Sequence, residues 1–373
     1  MLNSVAKGFV FLSLPFILSC NSVNTQPQHE KRDADVAKVI ENDAISKRIF
    51  ISAVGDCMIG TNYPSQNYLP PNDGRDIFSD AAFFLQKSDL SFGNCEGSFL
   101  TGVGPVKTCS DSTAVCYAFK MPDHFVNHFV DAGFDVLSIA NNHVGDFGDI
   151  GRINTQNVLS SAGIKYAGLM TCPSTRFDKN GVKYGFCAFA PNSGTASLTD
   201  ISTAQLIVKE LDKTCDVVIV SFHGGGEGCS RRHLTDSIET YIGENRGNPK
   251  HFAKSVIDAG ADVVFGHGPH VPRAIDMYKG KFIAYSLGNF ATYARFSIRS
   301  YAGLAPLVTI EVNDKGDFIS GEIISFIQEG RGGPKLDSLN RAAIEIKELS
   351  EIDLPFSELL ISNEGKITRR IIN

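Results

Sequence analysis

The sequence predicts an α/β protein, because apolar strand-like runs alternate with amphipathic helical segments along most of the chain. The run at 216–222 is almost wholly β-branched or aromatic, which is typical of a buried strand. Segments such as 150–162 show helical periodicity instead. Polar residues follow several of the strand-like runs, at the edge where open α/β sheets bind their ligands.

Composition limits the classes of function that are open to this chain. It has 373 residues, a net charge of −6 and 43% hydrophobic residues, enough for one large core or two modest ones. No run of Lys or Arg supplies a basic face. The sequence therefore excludes nucleic acid as a partner.

The first residues predict export. Residues 1–20 read as a signal peptide, in which Lys7 precedes an apolar stretch, 8–18, too short to span a bilayer. The stretch leads into Cys20 in a context that resembles the lipobox of bacterial lipoproteins, which implies a lipid anchor in the cell envelope, facing the periplasm or the exterior. The alternative is an ordinary signal peptide with an incidental cysteine. Residues 21–47 are polar and charged and predict a flexible tether.

Export makes disulfide bonds plausible for the other cysteines. Cys109 and Cys116 flank a turn rich in Ser, Asp and Thr and form the best candidate pair, pinning a flap near the substrate side of the domain. Cys215 and Cys229 are a second candidate pair. No Cys-x-x-Cys pair occurs, which argues against a zinc-thiolate cluster.

Two acids follow the first strands. The strand 49–54 runs into Asp56, whose alternative role is the N-cap of a following turn. The periodicity of 75–87 predicts a helix, and the strand 90–93 leads to Glu96. Both carboxylates are thus expected at the carboxyl edge of the sheet.

An amide and a histidine follow the next strand. The helix 122–132 and the strand 134–139 precede Asn142, which offers a neutral oxygen to a metal. His143 is then expected to stand beside the metal and to move protons. The alternative for Asn141 and Asn142 is a turn in the left-handed conformation, which Asn tolerates.

Three histidines follow later strands. The strand at 216–222 delivers His223 among glycines that leave the backbone open to close approach. A lone histidine at a strand end is more often structural than a ligand. The helix 249–259 precedes the strand 262–265, after which a turn of Gly and Pro aims His267 and His270 at one point.

The remaining periodic segments complete the sheets and the C-terminus. They are a strand at 184–190, a hairpin at 274–285, a core segment at 286–290, a hairpin of 307–312 with 318–327, and a helix at 339–349 followed by a short strand.

Six strand-end residues therefore converge on one rim: Asp56, Glu96, Asn142, His223, His267 and His270. Oxygen and nitrogen ligands without thiolate suit one or two divalent ions such as Mn, Zn or Fe. Two ions that share a carboxylate can clamp both the attacking and the leaving oxygen of a hydrolytic displacement. Asp56 is the natural bridge because it has two oxygens.

Six motifs occur in order along the chain: Gly55-Asp56, Asn94-Cys95-Glu96-Gly97, Ala140-Asn141-Asn142-His143, His223-x-Gly225-x-Glu227, Gly266-His267-x-Pro269-His270-Val271 and Tyr285-Ser286-Leu287-Gly288-Asn289-Phe290. These motifs resemble those of CapA-type poly-γ-glutamate capsule biosynthesis proteins, members of the calcineurin-like metallophosphatase superfamily. The resemblance implies a four-layer α/β/β/α sandwich over residues 48–330, with residues 331–373 as a C-terminal helix and strand packed on the same domain.

The resemblance also implies roles for individual residues. Asp56 would bridge two ions and take part in catalysis. His143 would protonate the leaving group. Glu227, Asp146 and Asn289 would contact substrate or support the ligands. One ion would be held by Glu96, Asn142, His223 and His267, and the other by His270.

Three positions depart from the usual pattern. Met58 stands where the superfamily carries a histidine, and Glu96 stands where it carries an aspartate, so one ion lacks a protein ligand. Gly224 replaces a bulky residue, which predicts a more open pocket on that side.

Two functions remain open. The first is a metal-dependent hydrolase of phosphoester or γ-glutamyl amide bonds in poly-γ-glutamate or a related envelope polymer. The second is a non-catalytic component that binds or anchors the polymer, with a structural or vestigial metal site. Other capsule-synthesis proteins would be partners in either case.

Overall fold

The computed structural model describes residues 47–108 and 117–370. The predicted signal peptide, the lipidation of Cys20 and the Cys109–Cys116 pair lie outside these residues, as does all but the last residue of the predicted tether.

Six α-helices and twenty β-strands form the described part of the chain. The helices are α1 (Ala82–Gln86), α2 (Val126–Ala132), α3 (Gly148–Ser161), α4 (Ile201–Asp212), α5 (Pro249–Ile257) and α6 (Arg341–Asp353). The strands are β1 (Ile49–Met58), β2 (Leu90–Cys95), β3 (Ser98–Phe99), β4 (Lys120–Met121), β5 (Val136–Ser138), β6 (Lys165–Ala167), β7 (Ser174–Lys179), β8 (Val182–Phe189), β9 (Val217–His223), β10 (Thr240–Tyr241), β11 (Glu244–Asn245), β12 (Val263–His267), β13 (Ile275–Tyr278), β14 (Lys281–Ala284), β15 (Asn289–Thr292), β16 (Leu304–Val312), β17 (Phe318–Gln328), β18 (Pro334–Leu336), β19 (Leu359–Ile361) and β20 (Lys366–Arg369).

Two large mixed sheets form the centre of the molecule. The first sheet has the order β19-β20-β17-β16-β1-β2-β5-β6, with β15 added to β1 and β18 added to β17. The second has the order β13-β14-β12-β9-β8-β7. Strands β1, β2, β5 and β6 are parallel to their neighbours in that run, as are β8, β9, β12 and β14. Within each sheet the carboxyl ends of these strands therefore lie along one edge.

Three hydrophobic clusters define the layers. One cluster joins the facing sides of the two sheets and includes Phe92 from the first and Phe265 from the second, stacked with ring centroids 5.3 Å apart. A second cluster packs α2 and α3 on the outer face of the first sheet, and a third packs α4 and α5 on the outer face of the second. The predicted four-layer α/β/β/α sandwich is confirmed.

The structure corrects the helix predicted at 75–87, because only Ala82–Gln86 is helical. Successive i→i+3 turns occupy the preceding residues, with Ile77 N donating to Gly74 O and Ala81 N donating to Phe78 O. The Asp80 carboxylate accepts from the backbone of β18, so a long-range contact fixes this segment in another conformation.

Two further differences concern the second sheet. Helix α4 (Ile201–Asp212) was not among the predicted elements, although Asp200 caps it through the backbone N–H of Thr203. The suggested Cys215–Cys229 pair is wrong, since both thiols are free.

Among the described residues, no helix combines the length and the apolar composition needed to cross a bilayer.

Candidate metal centre

The structure brings the two ends of the predicted ligand set into direct contact. Asp56 Oδ2 lies 3.0 Å from His270 Nδ1, although 214 positions separate the two residues. Asp56 Oδ1 lies 3.3 Å from His267 Nδ1. One donor atom each from Asp56, Glu96 and His223 lie within 4.8 Å of one another, close enough to share one cation.

Asp56 lies inside β1 and not beyond its end. The pairing of β1 with β15 shifts register between Asp56 and Cys57, and the pairing with β2 shifts between Ala53 and Asp56. Such bulges redirect a side chain next to active sites. The next residue, Cys57, is fully buried in the hydrophobic cluster on the outer face of the first sheet.

Amide side chains hold Asp56, one of the candidate oxygen ligands of the first sheet. Asn94 Nδ2 donates to Asp56 Oδ1 at 2.8 Å. Asn141 Nδ2 donates to Asn94 Oδ1 at 3.2 Å, and Asn141 Oδ1 accepts from the backbone N–H of His143 at 3.0 Å. A continuous chain of hydrogen bonds therefore runs from Asp56 to the turn that carries His143.

His223 and His267 are the last residues of the adjacent parallel strands β9 and β12 and stand side by side in their register. Both rings are fully buried, and within the described residues none of their nitrogens makes a hydrogen bond. Burial lowers the pKa of His223 well below its usual value, so the ring is neutral, which is the form that binds metals.

Two oxygen groups are equally unsatisfied. Both carboxylate oxygens of Glu96 and Oδ1 of Asn142 are buried without a hydrogen-bond donor among the described residues. Burial, reinforced by the nearby charge of Asp56, raises the pKa of Glu96 well above its usual value. Buried polar groups are rarely left unpaired. The carboxylate, amide and imidazole groups of this cluster, with atoms that make no hydrogen bond among the described residues, fit a divalent cation of the Mn, Zn or Fe class.

His270 occupies the open side of this cluster. Its backbone is in the left-handed region, with φ 59°, after the tight turn at Gly268. Its Nε2 lies 3.6 Å from Glu96 Oε1 and 3.7 Å from Glu227 Oε2. Burial disfavours protonation of the ring, but the carboxylates of Glu96 and Asp56 outweigh it and raise the pKa to about 10.

His143 lies beside the cluster and is oriented by Asp146. Its Nδ1 is 2.8 Å from Asp146 Oδ2, and the Phe119 ring covers it with centroids 4.4 Å apart. Within the described residues its Nε2 makes no hydrogen bond. Burial lowers the pKa of His143, although the Asp146 carboxylate opposes this shift.

Asp146 also binds both described ends of the segment that contains residues 109–116. Its Oδ2 accepts from the backbone N–H of Phe119 at 2.7 Å, and its Oδ1 lies 2.5 Å from Lys107 Nζ. Its carbonyl oxygen accepts from the Lys107 N–H at 2.8 Å. The carboxylate that orients His143 therefore also holds Lys107 and Phe119.

Two arginines organise the loop after His223. Arg246 Nη2 lies 3.0 Å from Glu227 Oε1, which fixes Glu227 near His270. Deeper, Arg273 and Glu239 form two parallel hydrogen bonds of 2.8 Å. Glu239 also accepts from the backbone N–H of Gly226.

Asn289 supports the last histidine from the opposite side. Its Oδ1 lies 3.1 Å from His270 Nδ1, and its amide donates to the carbonyl oxygens of His270, Ser297 and Ala302. It therefore joins His270 to the segment 297–302.

Comparisons with known proteins agree with the resemblance carried by the motifs. A family model described as bacterial capsule synthesis protein PGA_cap matches residues 50–294. The chain belongs to this family. Capsule biosynthesis protein CapA of Bacillus anthracis is 28% identical over 357 residues, covering 89% of this chain and 79% of that protein. PGA biosynthesis protein CapA of Bacillus subtilis is 30% identical over 177 residues, 43% of each chain.

Solved structures that resemble the PGA_cap fold include the NAD nucleotidase of Haemophilus influenzae. The likeness covers 82% of this chain and 56% of that chain, at 11% identity and a TM-score of 0.40.

The PGA_cap motifs did not reveal every residue that shapes the centre. Asn94 and Asn141 stand within the quoted motifs, next to predicted ligands, but nothing in their spacing shows which atoms they bind. Arg246 and Phe119 lie in segments without a motif and reach the centre only through the fold.

One expectation for this PGA_cap chain is wrong. Gly224 does not open the pocket, because a Cβ atom there would stand 2.3 Å from Leu198 Cδ2 and 2.8 Å from the Arg246 carbonyl oxygen. Neighbouring side chain and backbone already fill the space that a bulkier residue would need.

Proposed function

We propose that this protein takes part in the biosynthesis or export of capsular poly-γ-glutamate, or of a related envelope polymer, as a divalent-metal-dependent hydrolase of phosphoester or γ-glutamyl amide bonds. Membership of the PGA_cap family supports the capsule role. The observation that carries the hydrolase role is the cluster of buried oxygen and nitrogen atoms on Glu96, His223 and His267 that make no hydrogen bond among the described residues, with an oriented histidine beside it.

The proposed ligands follow the arrangement of the strands. Glu96, Asn142, His223 and His267 would hold one ion, His270 would hold a second, and Asp56 stands between them. A bound divalent cation would supply Lewis-acid activation of water and of the bond to be cleaved. The chain's contribution is to present neutral imidazoles and carboxylates in a site from which most water is excluded.

His143 would handle the proton of the leaving group. Asp146 fixes the ring through Nδ1, which leaves Nε2 directed away from that hydrogen bond. Phe119 covers the ring and limits competition from water. Glu227, held by Arg246, would contact the substrate on the far side of His270.

The test uses purified protein supplied with Mn²⁺ or Zn²⁺, a model phosphodiester and a γ-glutamyl polymer. His143→Ala is expected to lower kcat by about 10²–10⁴-fold, the usual contribution of general acid–base catalysis. Its metal content, measured by elemental analysis, should stay unchanged. The matched control is His124→Ala, at a surface histidine that pairs with Asp73. Turnover that survives His143→Ala would refute the mechanism.

A second candidate function is a non-catalytic component that binds or anchors the polymer. It is supported by Met58, which leaves His270 short of a companion ligand. An Asp56→Ala/His143→Ala variant that folds and still supports full capsule production would favour this function.

Anchoring in the envelope through lipidated Cys20 is part of both proposals and rests on the lipobox-like sequence. Cys20→Ala is expected to abolish incorporation of an alkyne-labelled fatty acid. Equal labelling of the variant would exclude this anchor.

A further inference from the structure

Arg295 carries a positive charge that no described residue neutralises. Its guanidinium carbon lies 4.7 Å from the ring centroid of Tyr68 and 4.7 Å from that of Tyr117. Among the described residues, no carboxylate lies within ion-pair distance of it, and its buried Nε has no acceptor. Arg246 and Arg273, by contrast, are both paired with glutamates.

The backbone around Arg295 is fixed in an uncommon conformation. The Arg295 N–H donates to the Tyr293 carbonyl oxygen at 2.9 Å, and Ala294 between them has φ 69°, as in a γ-turn. The Ala294 N–H donates to Arg331 O at 2.7 Å, and the Tyr293 N–H donates to Met58 O at 3.0 Å. A strained turn, held by β1 and by the connection between β17 and β18, fixes the backbone of Arg295 before any ligand arrives.

A row of rings joins Arg295 to the candidate metal centre. The next residue, Phe296, has its ring centroid 5.3 Å from that of His270 and 4.9 Å from that of Phe119. Phe119 in turn covers His143. The guanidinium is thus connected through two rings to His143, because it lies over Tyr117, whose ring centroid is 5.9 Å from that of Phe119.

We propose that Arg295 binds an oxyanion of the substrate, and that this oxyanion is a free carboxylate of a γ-linked glutamyl chain. The inference rests on the proposed function of the same site. Arg246 and Arg273 are already paired with Glu227 and Glu239, so Arg295 is the one of these three arginines whose charge is left to attract an anionic chain. A guanidinium can pair with a carboxylate through two parallel N–H donors, and a γ-linked chain offers one α-carboxylate per residue. Phosphate oxygens have the same hydrogen-bonding chemistry and are the other source.

Calorimetry with the full chain tests the proposal. The probes are a γ-glutamyl hexamer with free α-carboxylates, the same hexamer as its α-carboxamide, and inorganic phosphate. Arg295→Met is expected to weaken binding of the free-acid hexamer by roughly tenfold or more, as for a lost charge-assisted hydrogen bond. Arg295→Lys keeps the positive charge but loses the two parallel N–H donors of the guanidinium. Its affinity for the free-acid hexamer should lie between those of Arg295→Met and the wild type. The matched control, Arg299→Met, removes an exposed arginine of the same segment and should change affinity less than about twofold.

Each outcome of the binding experiment supports or overturns the Arg295 subsite or its assignment to a carboxylate. Wild-type protein should bind the carboxamide hexamer as weakly as Arg295→Met binds the free acid. Equal affinity of Arg295→Met and wild type for the free acid would overturn the subsite, whatever the turnover. Binding of phosphate alone in an Arg295-dependent manner would overturn the carboxylate assignment. Arg295-dependent binding without any turnover would uphold the subsite and refute the hydrolase.

Discussion

The two sheets contribute chemically different halves to the candidate centre. The first sheet supplies oxygens and the second supplies imidazoles. In the first half, Asp56 is held by a hydrogen bond from Asn94 and, through Asn141, by the turn at His143. In the second half, His223 and His267 have no hydrogen-bond partner among the described residues. Asp56 is therefore preorganised by the protein alone, whereas His223 and His267, like Glu96 and Asn142, would gain hydrogen-bond or metal partners only from a ligand.

Backbone pairing and packing keep the second half in position. His267 stands opposite His223 in the parallel register of β9 and β12. The loop after His223 is fixed by the buried pair of Arg273 and Glu239. Three predictions test the difference between the halves.

The largest effect is expected where the halves meet, at Asp56. Asp56→Asn keeps the shape but removes the charge that faces both His267 and His270. Metal affinity should fall by more than about a thousandfold, since loss of an outer partner alone costs roughly 10–100-fold. Elemental analysis after dialysis, and titration with Mn²⁺, measure this loss. Asp149→Asn, at an exposed acid of α3, should keep its metal. An Asp56→Asn protein with normal metal content would show that the halves do not share a cation.

The next effect concerns the support of the second half. Arg273→Met leaves Glu239 as an uncompensated buried charge and should lower the free energy of unfolding by about 3–5 kcal/mol, as measured with guanidinium chloride. The double variant Arg273→Met/Glu239→Leu removes both charges and should recover most of that loss. If the double variant is as unstable as the single one, the loop after His223 depends on the ion pair itself.

The smallest effect compares one residue from each half in metal-free protein. His223→Leu removes two buried, unpaired nitrogens and should raise the free energy of unfolding by about 1 kcal/mol. Asn94→Leu leaves Asp56 without its donor and should lower it by about 1–3 kcal/mol. Wild-type protein is expected to show a higher Tm with Mn²⁺ than without it, and this rise should vanish in His223→Leu. Destabilisation by His223→Leu would mean that the imidazole has a structural partner.

The sequence was sufficient to predict that the candidate ligands lie near one edge, because parallel strands end along one edge of a sheet. It could not show that Asp56 lies within β1, since that position depends on register shifts against β2 and β15. Residue identity alone also could not show that Asn94 and Asn141 link Asp56 to His143 by hydrogen bonds. Their partners are 38 and 47 positions away along the chain and become neighbours only when β1, β2 and β5 pair.

Aromatic and basic residues around the centre were the least predictable. Tyr68, Tyr117 and Arg295 lie in segments without periodicity, and their contacts join parts of the chain separated by more than a hundred residues. The helix expected at 75–87 failed for the same kind of reason, because β18 binds Asp80. Local pattern cannot report contacts of this range.

The amide chain from Asp56 through Asn94 and Asn141 to the backbone of His143 has a consequence for how this family can diversify. This chain of hydrogen bonds sets the distance between Asp56 and His143, and all of its residues lie in or directly after strands of the first sheet. Loops that follow the second sheet, including those that carry Glu227 and Arg246, can be lengthened or exchanged without altering the separation of the acid and the histidine. Changes in these loops would therefore alter the surface beside His270 while Asp56 and His143 keep their spacing.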